Sequence, residues 1–278
     1  MAKGEVVFAD KVAVVTGGAR GIGRATAEKL SAGGARVLIA DLDSDVAEAT
    51  ASEIGNDASA FAGNITADGV PDKLIETTLE RYGRLDIIVN NAGYTLDSPL
   101  HKLGDEDFQA MIDIHTVAPF RILRAAAPHM REAAKKERAA GEEVFRKVVN
   151  VSSMAAYGNP GQANYSAAKA ALIGLTKTAA REWGQFKINC NVVAFGLVDT
   201  RLTQAKDGDS SVDIDGRAVP AGIPEQTLEI FKTMIPLGRG AKASEAAGGI
   251  AFFCSPWSDY VTGQVLNVGG GIPLGMSS

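Results

Sequence analysis

Short apolar runs recur along the chain, separated by longer Ala-rich stretches in which apolar and charged residues repeat at helical spacing. The runs are KVAVVTG (11–17), ARVLIAD (35–41), SAFAGNI (59–65), LDIIVNN (85–91), RKVVNVSS (146–153), KINCNVVA (187–194) and QVLNVGG (264–270). Most are nearly continuous in apolar residues instead of alternating, the pattern of strands covered on both faces. The spacing between them predicts helices at 21–33, 44–54, 69–82, 105–130, 163–184 and 242–254, with Asp or Ser near several starts as caps. Strand–helix–strand units joined by right-handed crossovers give an α/β protein: one domain over 1–278, built on a doubly wound parallel sheet of about seven strands with helices on both faces.

Two stretches interrupt the alternation. REAAKKERAAGEEVFRK (131–147) is highly charged and reads as a solvated extension of the preceding helix. The stretch 203–233 begins as a polar loop, KDGDSSVDIDG, and ends as a short amphipathic helix. Ligands of such sheets bind outside the carboxyl ends of the strands, so an insertion after the sixth strand is placed to be a substrate lid.

Composition narrows the function. With 278 residues, 46% hydrophobic, the chain can bury a large core, and its 31 glycines suit many tight strand-to-helix turns. A net charge of −5 and a pI near 5.3 argue against nucleic acid as a partner and favour a small molecule. No secretory signal or stretch of some 18 apolar residues is present, which predicts a cytoplasmic protein without a membrane partner. Cys190 and Cys254 form no C-x-x-C pair and read as reduced, buried thiols; no metal site is expected.

TGGARGIG (16–23) follows the first strand directly and opens the first helix. Gly17 and Gly21 can turn without a Cβ penalty, and Gly23 lets helix and strand approach. The exposed helical N–H groups attract a pyrophosphate. Arg24 and Ala25 replace the Lys and Ser/Thr of a P-loop, which excludes that alternative. The loop residues Gly17, Arg20, Gly21, Ile22 and Gly23 are therefore assigned to a dinucleotide. Asp41, at the end of the second strand, can accept hydrogen bonds from the adenosine ribose and repels a 2′-phosphate, favouring NAD over NADP. Arg20 pulls the other way, because a guanidinium can pair with that phosphate.

NYSAAK (164–169) sets Tyr165 and Lys169 at i and i+4 on one helical face. An ammonium there favours phenolate and is expected to pull the phenol down from about 10. Such a phenol can exchange a proton with an alcohol oxygen while hydride moves between carbon and nicotinamide.

With NNAG (90–93), VSS (151–153), VAFGLVDT (193–200), PLGR (236–239) and YVTGQVLNVGGG (260–271) in order, the chain resembles the short-chain dehydrogenase/reductase family. The nearest members are those like 3-oxoacyl-(acyl carrier protein) reductase. The resemblance implies a Rossmann-type fold and an NAD(P)-linked oxidoreductase acting on a secondary alcohol or ketone, such as a 3-oxoacyl thioester. Polyol and steroid alcohols remain alternatives, as does a non-catalytic dinucleotide sensor. It implies that Asn91, Ala92 and Gly93 line the adenosine side, and that Asn64 and Ile65 flank the adenine. Gly196, Val198 and Thr200 would meet the nicotinamide, Lys169 would hold its ribose, and the assembly would be a homotetramer. It selects Ser153 as the substrate-oxygen donor, although Ser152 restores the usual spacing to Tyr165.

Three positions depart from the family pattern: His115 replaces an Asn, Phe195 a Pro and Gly269 an Asp. The Asn is thought to hold a water linking the lysine to solvent. His115 is thus a catalytic candidate, expected to keep that relay and add a titration near about pH 6.5. WGQFK (183–187) offers no clear match to the arginines that dock acyl carrier protein, which weakens a carrier-protein substrate and leaves an acyl-CoA or another secondary alcohol open.

Overall fold

The computed structural model describes residues 7–201, 203–204, 211–214, 217–220 and 222–272. The apolar runs become strands: β1 (Val12–Thr16), β2 (Arg36–Asp41), β3 (Ser59–Ala62), β4 (Ile87–Asn90), β5 (Arg146–Ser153) and β6 (Ile188–Phe195). Between them lie α1 (Gly21–Ala32), α2 (Ser44–Ile54), α3 (Val70–Tyr82), α4 (Asp105–Ile112), α5 (Ala118–Ala139) and α6 (Ala163–Trp183). Beyond β6 come β7 (Val198–Asp199), β8 (Ser211–Ile214), β9 (Arg217–Pro220), α7 (Glu225–Met234), β10 (Ala241–Lys242), α8 (Ala243–Cys254) and β11 (Val265–Val268).

Seven strands form one parallel sheet in the order β11-β6-β5-β4-β1-β2-β3. Side-chain alternation explains why each run reads as continuously apolar. In β1, Val12 and Val14 enter the core formed with α3, α4, α5 and α6, whereas Ala13 and Val15 enter the core formed with α1, α2 and α8. β2 divides in the same way, Leu38 and Ala40 against Val37 and Ile39. The strand order reverses at β1, flanked by β2 on one side and β4 on the other, and a crevice opens there at the carboxyl ends.

The helix expected over 105–130 is broken. α4 and α5 are joined by a π-turn at Asp113–Val117, closed by a bond from Ala118 N–H to the Asp113 carbonyl. Pro119 gives the reason: in an unbroken α-helix its ring would press on the carbonyl four residues back, at His115. α5 then continues to Ala139, so the charged stretch 131–147 is helical in its first half. It is more than a solvated extension, because Glu137 takes both guanidinium nitrogens of buried Arg146 at 2.7 Å and ties the helix end to the base of β5.

β8 and β9 pair antiparallel, and α7 occupies the amphipathic end of the 203–233 stretch. Residues 205–210, 215–216 and 221 of the expected lid region lie outside the described residues.

Candidate active site

The crevice is built first around the glycine loop. Gly17 has φ +61°, and a Cβ on it would fall 2.8 Å from Ala92 Cα. A Cβ on Gly23 would meet the Gly17 carbonyl oxygen at 2.0 Å, so only glycine lets α1 start this close to β1. Asn91 secures the loop from β4: its amide donates to the Thr16 and Gly17 carbonyls at 3.0 and 3.1 Å. Thr16 Oγ1 in turn accepts from the backbone N–H groups of Asn91 and Ala92. Asn91 therefore serves the dinucleotide end of the crevice by bracing the loop.

Asp41 ends β2 beside this loop. Its Oδ2 accepts from Ala19 N–H at 3.0 Å and its Oδ1 from Asp43 N–H at 3.3 Å, and each oxygen keeps a lone pair for a ribose hydroxyl. A side chain on Gly21 would project toward Thr200 Cγ2 at 3.6 Å, into the gap between the loop and the segment after β7. The start of α1 carries no side-chain cap, so its first N–H groups face that gap. These residues fit a dinucleotide. Ile22 packs into the α1-side core, and Ile65 is buried beneath α3. Asn64 Oδ1 accepts from Thr66 N–H and Oγ1 at the end of the third strand–loop unit.

Across the crevice, α6 presents Tyr165 and Lys169. Asn164, fully buried, sets the start of this helix: its amide donates to the Leu96 carbonyl at 2.9 Å while its Oδ1 accepts from Tyr165 N–H at 2.8 Å. Farther along, Thr116 of the π-turn donates to the Ala168 carbonyl, and Ser152 of β5 donates to the Lys169 carbonyl, each at 3.0 Å. Ser152 is thus spent on fastening helix to strand. Ser153 is turned the other way: its Oγ donates to the Phe195 carbonyl at 3.4 Å and accepts from Ala155 N–H at 3.1 Å, and the same hydroxyl acts on the Tyr165 phenol, lowering it.

The electrostatics differ from the expected pattern. Tyr165 is not pulled down; desolvation pushes it up to about 12, against a smaller lowering by Ser153. Lys169 explains the failure. Its Nζ is buried, donates to the Val151 carbonyl at 2.6 Å and lies 5.5 Å from the Tyr165 ring centre, and desolvation brings it down to about 7. An amine only part-charged at neutral pH is a weak counter-charge for a phenolate.

His115 reaches the same centre from the π-turn, its ring edge-on to Tyr165 at 4.9 Å. Nε2 is 2.7 Å from the Tyr94 carbonyl, which can only accept, so the proton is on Nε2. Nδ1 is then a buried acceptor without a protein partner. The expected titration near pH 6.5 does not fit this setting: burial, followed by the nearby Lys169 charge, holds the imidazole well below its ordinary value. Gly93 makes room for it, since a Cβ there would meet His115 Cε1 at 2.1 Å.

The other departures also have physical reasons. Phe195 continues β6 beside Ser153 and is buried. Met154 fills the space that a side chain on residue 269 would take, its sulfur 2.3 Å from an ideal Gly269 Cβ and 3.2 Å from one on Gly196. Gly196 and buried Val198 lie just past the end of β6, while Thr200 borders the glycine loop.

Sequence reasoning missed Asp97 and Gln162. Gln162 Nε2 donates to both Asp97 oxygens at 3.0 Å, clasping the loop after β4 to the start of α6. Burial raises the Asp97 carboxyl, and its charge in turn raises Tyr165. Position was the one available signal, Gln162 being three residues before Tyr165.

Residues 17–273 match the family described as enoyl-(acyl carrier protein) reductase. The chain belongs to the short-chain dehydrogenase/reductase family. Relatives include the 3-oxoacyl-(acyl carrier protein) reductases FabG of Thermotoga maritima, 35% identical over 95% of this chain and 98% of that protein, and of Escherichia coli, 36% identical over 95% and 98%. Among solved structures, a 3-ketoacyl-(acyl-carrier-protein) reductase from Brucella melitensis complexed with NADH is similar at a TM-score of 0.81 and 30% identity, over 95% of this chain and 98% of that one. As a family member the chain is a nicotinamide-dependent oxidoreductase of Rossmann-type α/β fold. Among the described residues, no helix is long and apolar enough to cross a membrane, and no group of three His, Cys, Asp or Glu converges on a metal position.

Proposed function

We propose that this short-chain dehydrogenase/reductase reduces a 3-oxoacyl thioester to the 3-hydroxyacyl thioester, with NADH preferred to NADPH. The observation that carries the reading is Tyr165, with Lys169 Nζ 5.5 Å from its ring and its phenol pushed up to about 12, at the carboxyl end of β5 where Ser153 stands, across the crevice from the glycine loop. A phenol held protonated is a proton donor, the role that ketone reduction requires. The 3-oxoacyl-(acyl carrier protein) reductases among its relatives support the substrate class.

NADH held at the glycine loop and Asp41 would supply the hydride. Tyr165 gives its Oη proton to the ketone oxygen as that oxygen gains the carbonyl π pair, so hydride and proton together balance as a secondary alcohol. The Ser153 hydroxyl donates to the same oxygen and orients it. Lys169 takes up a proton more readily as negative charge develops on Tyr165, and thereby offsets that charge. Neutral His115 buttresses the Tyr165 ring and keeps Nδ1, beside Gly93, as an unpartnered acceptor. The Asp41 carboxylate supports NADH over NADPH, and so does the cofactor of the Brucella melitensis relative. We further assign the 203–233 stretch the role of lid, and the cytoplasm as location. The protein is proposed to be a homotetramer, covering exposed Phe108 and Phe120 on one face and Trp257 and Tyr260 on another.

The test compares NADH and NADPH oxidation with acetoacetyl-CoA, a 3-oxoacyl-(acyl carrier protein), a 2-enoyl thioester and simple ketones. Both 3-oxoacyl thioesters are expected to turn over, and Tyr165→Phe is expected to cost about 10²–10⁴-fold in kcat. Turnover of the 2-enoyl thioester alone, or an undiminished Tyr165→Phe enzyme, would overturn the reading.

A further inference from the structure

Arg20 is the glycine loop's one guanidinium on the adenosine-ribose side, and by residue type it suits a 2′-phosphate. In the fold it is engaged elsewhere. Its Nη2 lies 2.8 Å from Asp43 Oδ2, two residues beyond the ribose-facing Asp41. Asp43 does not depend on this bond for its position, because its Oδ1 accepts from Val46 N–H at 3.2 Å and caps α2. Arg201, after Thr200, adds positive charge near the same carboxylate. Two acidic groups therefore divide the work at this corner of the crevice: Asp41 beside the ribose, and Asp43 on the guanidinium.

We propose that Asp43 is a positioning residue for cofactor choice, acting through Arg20: anchored by α2, it holds the loop guanidinium away from the 2′-position and so removes the pull toward NADP. The proposal rests on the reading of Asp41 as the ribose ligand. The ion pair is 41% and 43% exposed, so its hold on Arg20 is modest, about two- to fivefold in an equilibrium. Removing the Asp43 charge also removes repulsion of an incoming phosphate, which brings the expected gain to about three- to tenfold.

Asp43→Asn tests this without uncapping α2, since Asn offers the same acceptor oxygen to Val46 N–H. Binding is read directly, by calorimetric titration of the substrate-free protein with adenosine 2′,5′-bisphosphate and with AMP, and by NADPH and NADH fluorescence. The variant is expected to bind adenosine 2′,5′-bisphosphate and NADPH about three- to tenfold more tightly, with AMP and NADH changed less than about twofold. In the Arg20→Ala background the same Asp43→Asn change is expected to give only the part owed to lost repulsion, about twofold. No gain in the single variant, or a gain undiminished by loss of Arg20, overturns the proposal. Tighter binding of NADPH than of NADH by the unaltered protein would overturn the Asp41 reading instead, and the Arg20-dependence of the gain would still decide the role of Asp43.

Discussion

Lys147 and Lys169 are both cations taken out of water, 3% and 4% exposed, at opposite ends of the same sheet. Lys147, at the amino end of β5, has a counter-charge: Asp259 Oδ1 at 2.6 Å, with Asn189 Oδ1 at 3.0 Å. Burial lowers its pKa, but the bond and charge of Asp259 oppose that. Around it the same base is locked by Arg146 on Glu137 and by Arg84 on Asp86, which also accepts from Val12 N–H. Lys169, beside the carboxyl end, donates to a backbone carbonyl, and desolvation alone sets its proton affinity. One end of the molecule satisfies its buried charges and is thereby fixed. The other leaves an amine poised near neutrality, a phenol held protonated and an imidazole nitrogen open, and so can exchange protons.

Replacing each lysine by Met should separate the two ends most sharply. Lys169→Met is expected to lower kcat by about 10²-fold or more while holding or raising stability at pH 7, because no counter-charge is stranded and the buried amine's desolvation cost is removed. Lys147→Met should do the opposite, costing about 1–3 kcal/mol of unfolding free energy, since Asp259 loses its partner but stays partly solvated. Urea unfolding of both variants beside kcat measurements checks this; equal destabilisation by the two would break the comparison.

A second contrast uses pH. Folded Lys169 binds its proton only below about 7, whereas the unfolded chain binds it up to 10.5. Between those values the unfolded state holds more protons, so raising pH favours folding, by at most about 1.4 kcal/mol per pH unit. This stability is fully present above the unfolded value and is lost as pH falls toward 7. Unfolding of the wild type and of Lys169→Met from pH 7 to 10 should show the slope only in the former, and parallel curves would refute it.

The smallest effect concerns His115. His115→Ala is expected to slow turnover by about tenfold, near 1.4 kcal/mol on the barrier, with NADH affinity nearly intact. Because His115 stays neutral, no inflection between pH 6 and 8 should vanish in His115→Asn. An inflection lost with the imidazole would show that it titrates in the working range.

Local pattern carried most of the fold. The seven strands of the parallel sheet lie within or next to the apolar runs because a sheet covered on both faces needs apolar side chains at successive positions, as in VAVV and RVLIAD. The dinucleotide loop was equally legible, since close packing at Gly17 and Gly23 admits only one residue type. The break at Asp113–Val117 was harder to see, because Pro119 displaces the hydrogen-bond ladder upstream of itself. Spacing alone also could not divide labour between Ser152 and Ser153; the strand's alternation turns one toward the α6 backbone and the other toward Tyr165.

By itself, then, the sequence determined which residues could bind a dinucleotide and pass a proton, because residue type and near-neighbour spacing are local properties. Only the tertiary structure decided their charge states and commitments: that Tyr165 is pushed up, that Lys169 is brought down, that His115 stays neutral and that Arg20 is held by Asp43. Proton affinity and ion pairing depend on desolvation and on partners distant in the chain, and those exist only once the sheet, α6 and the π-turn have closed around them.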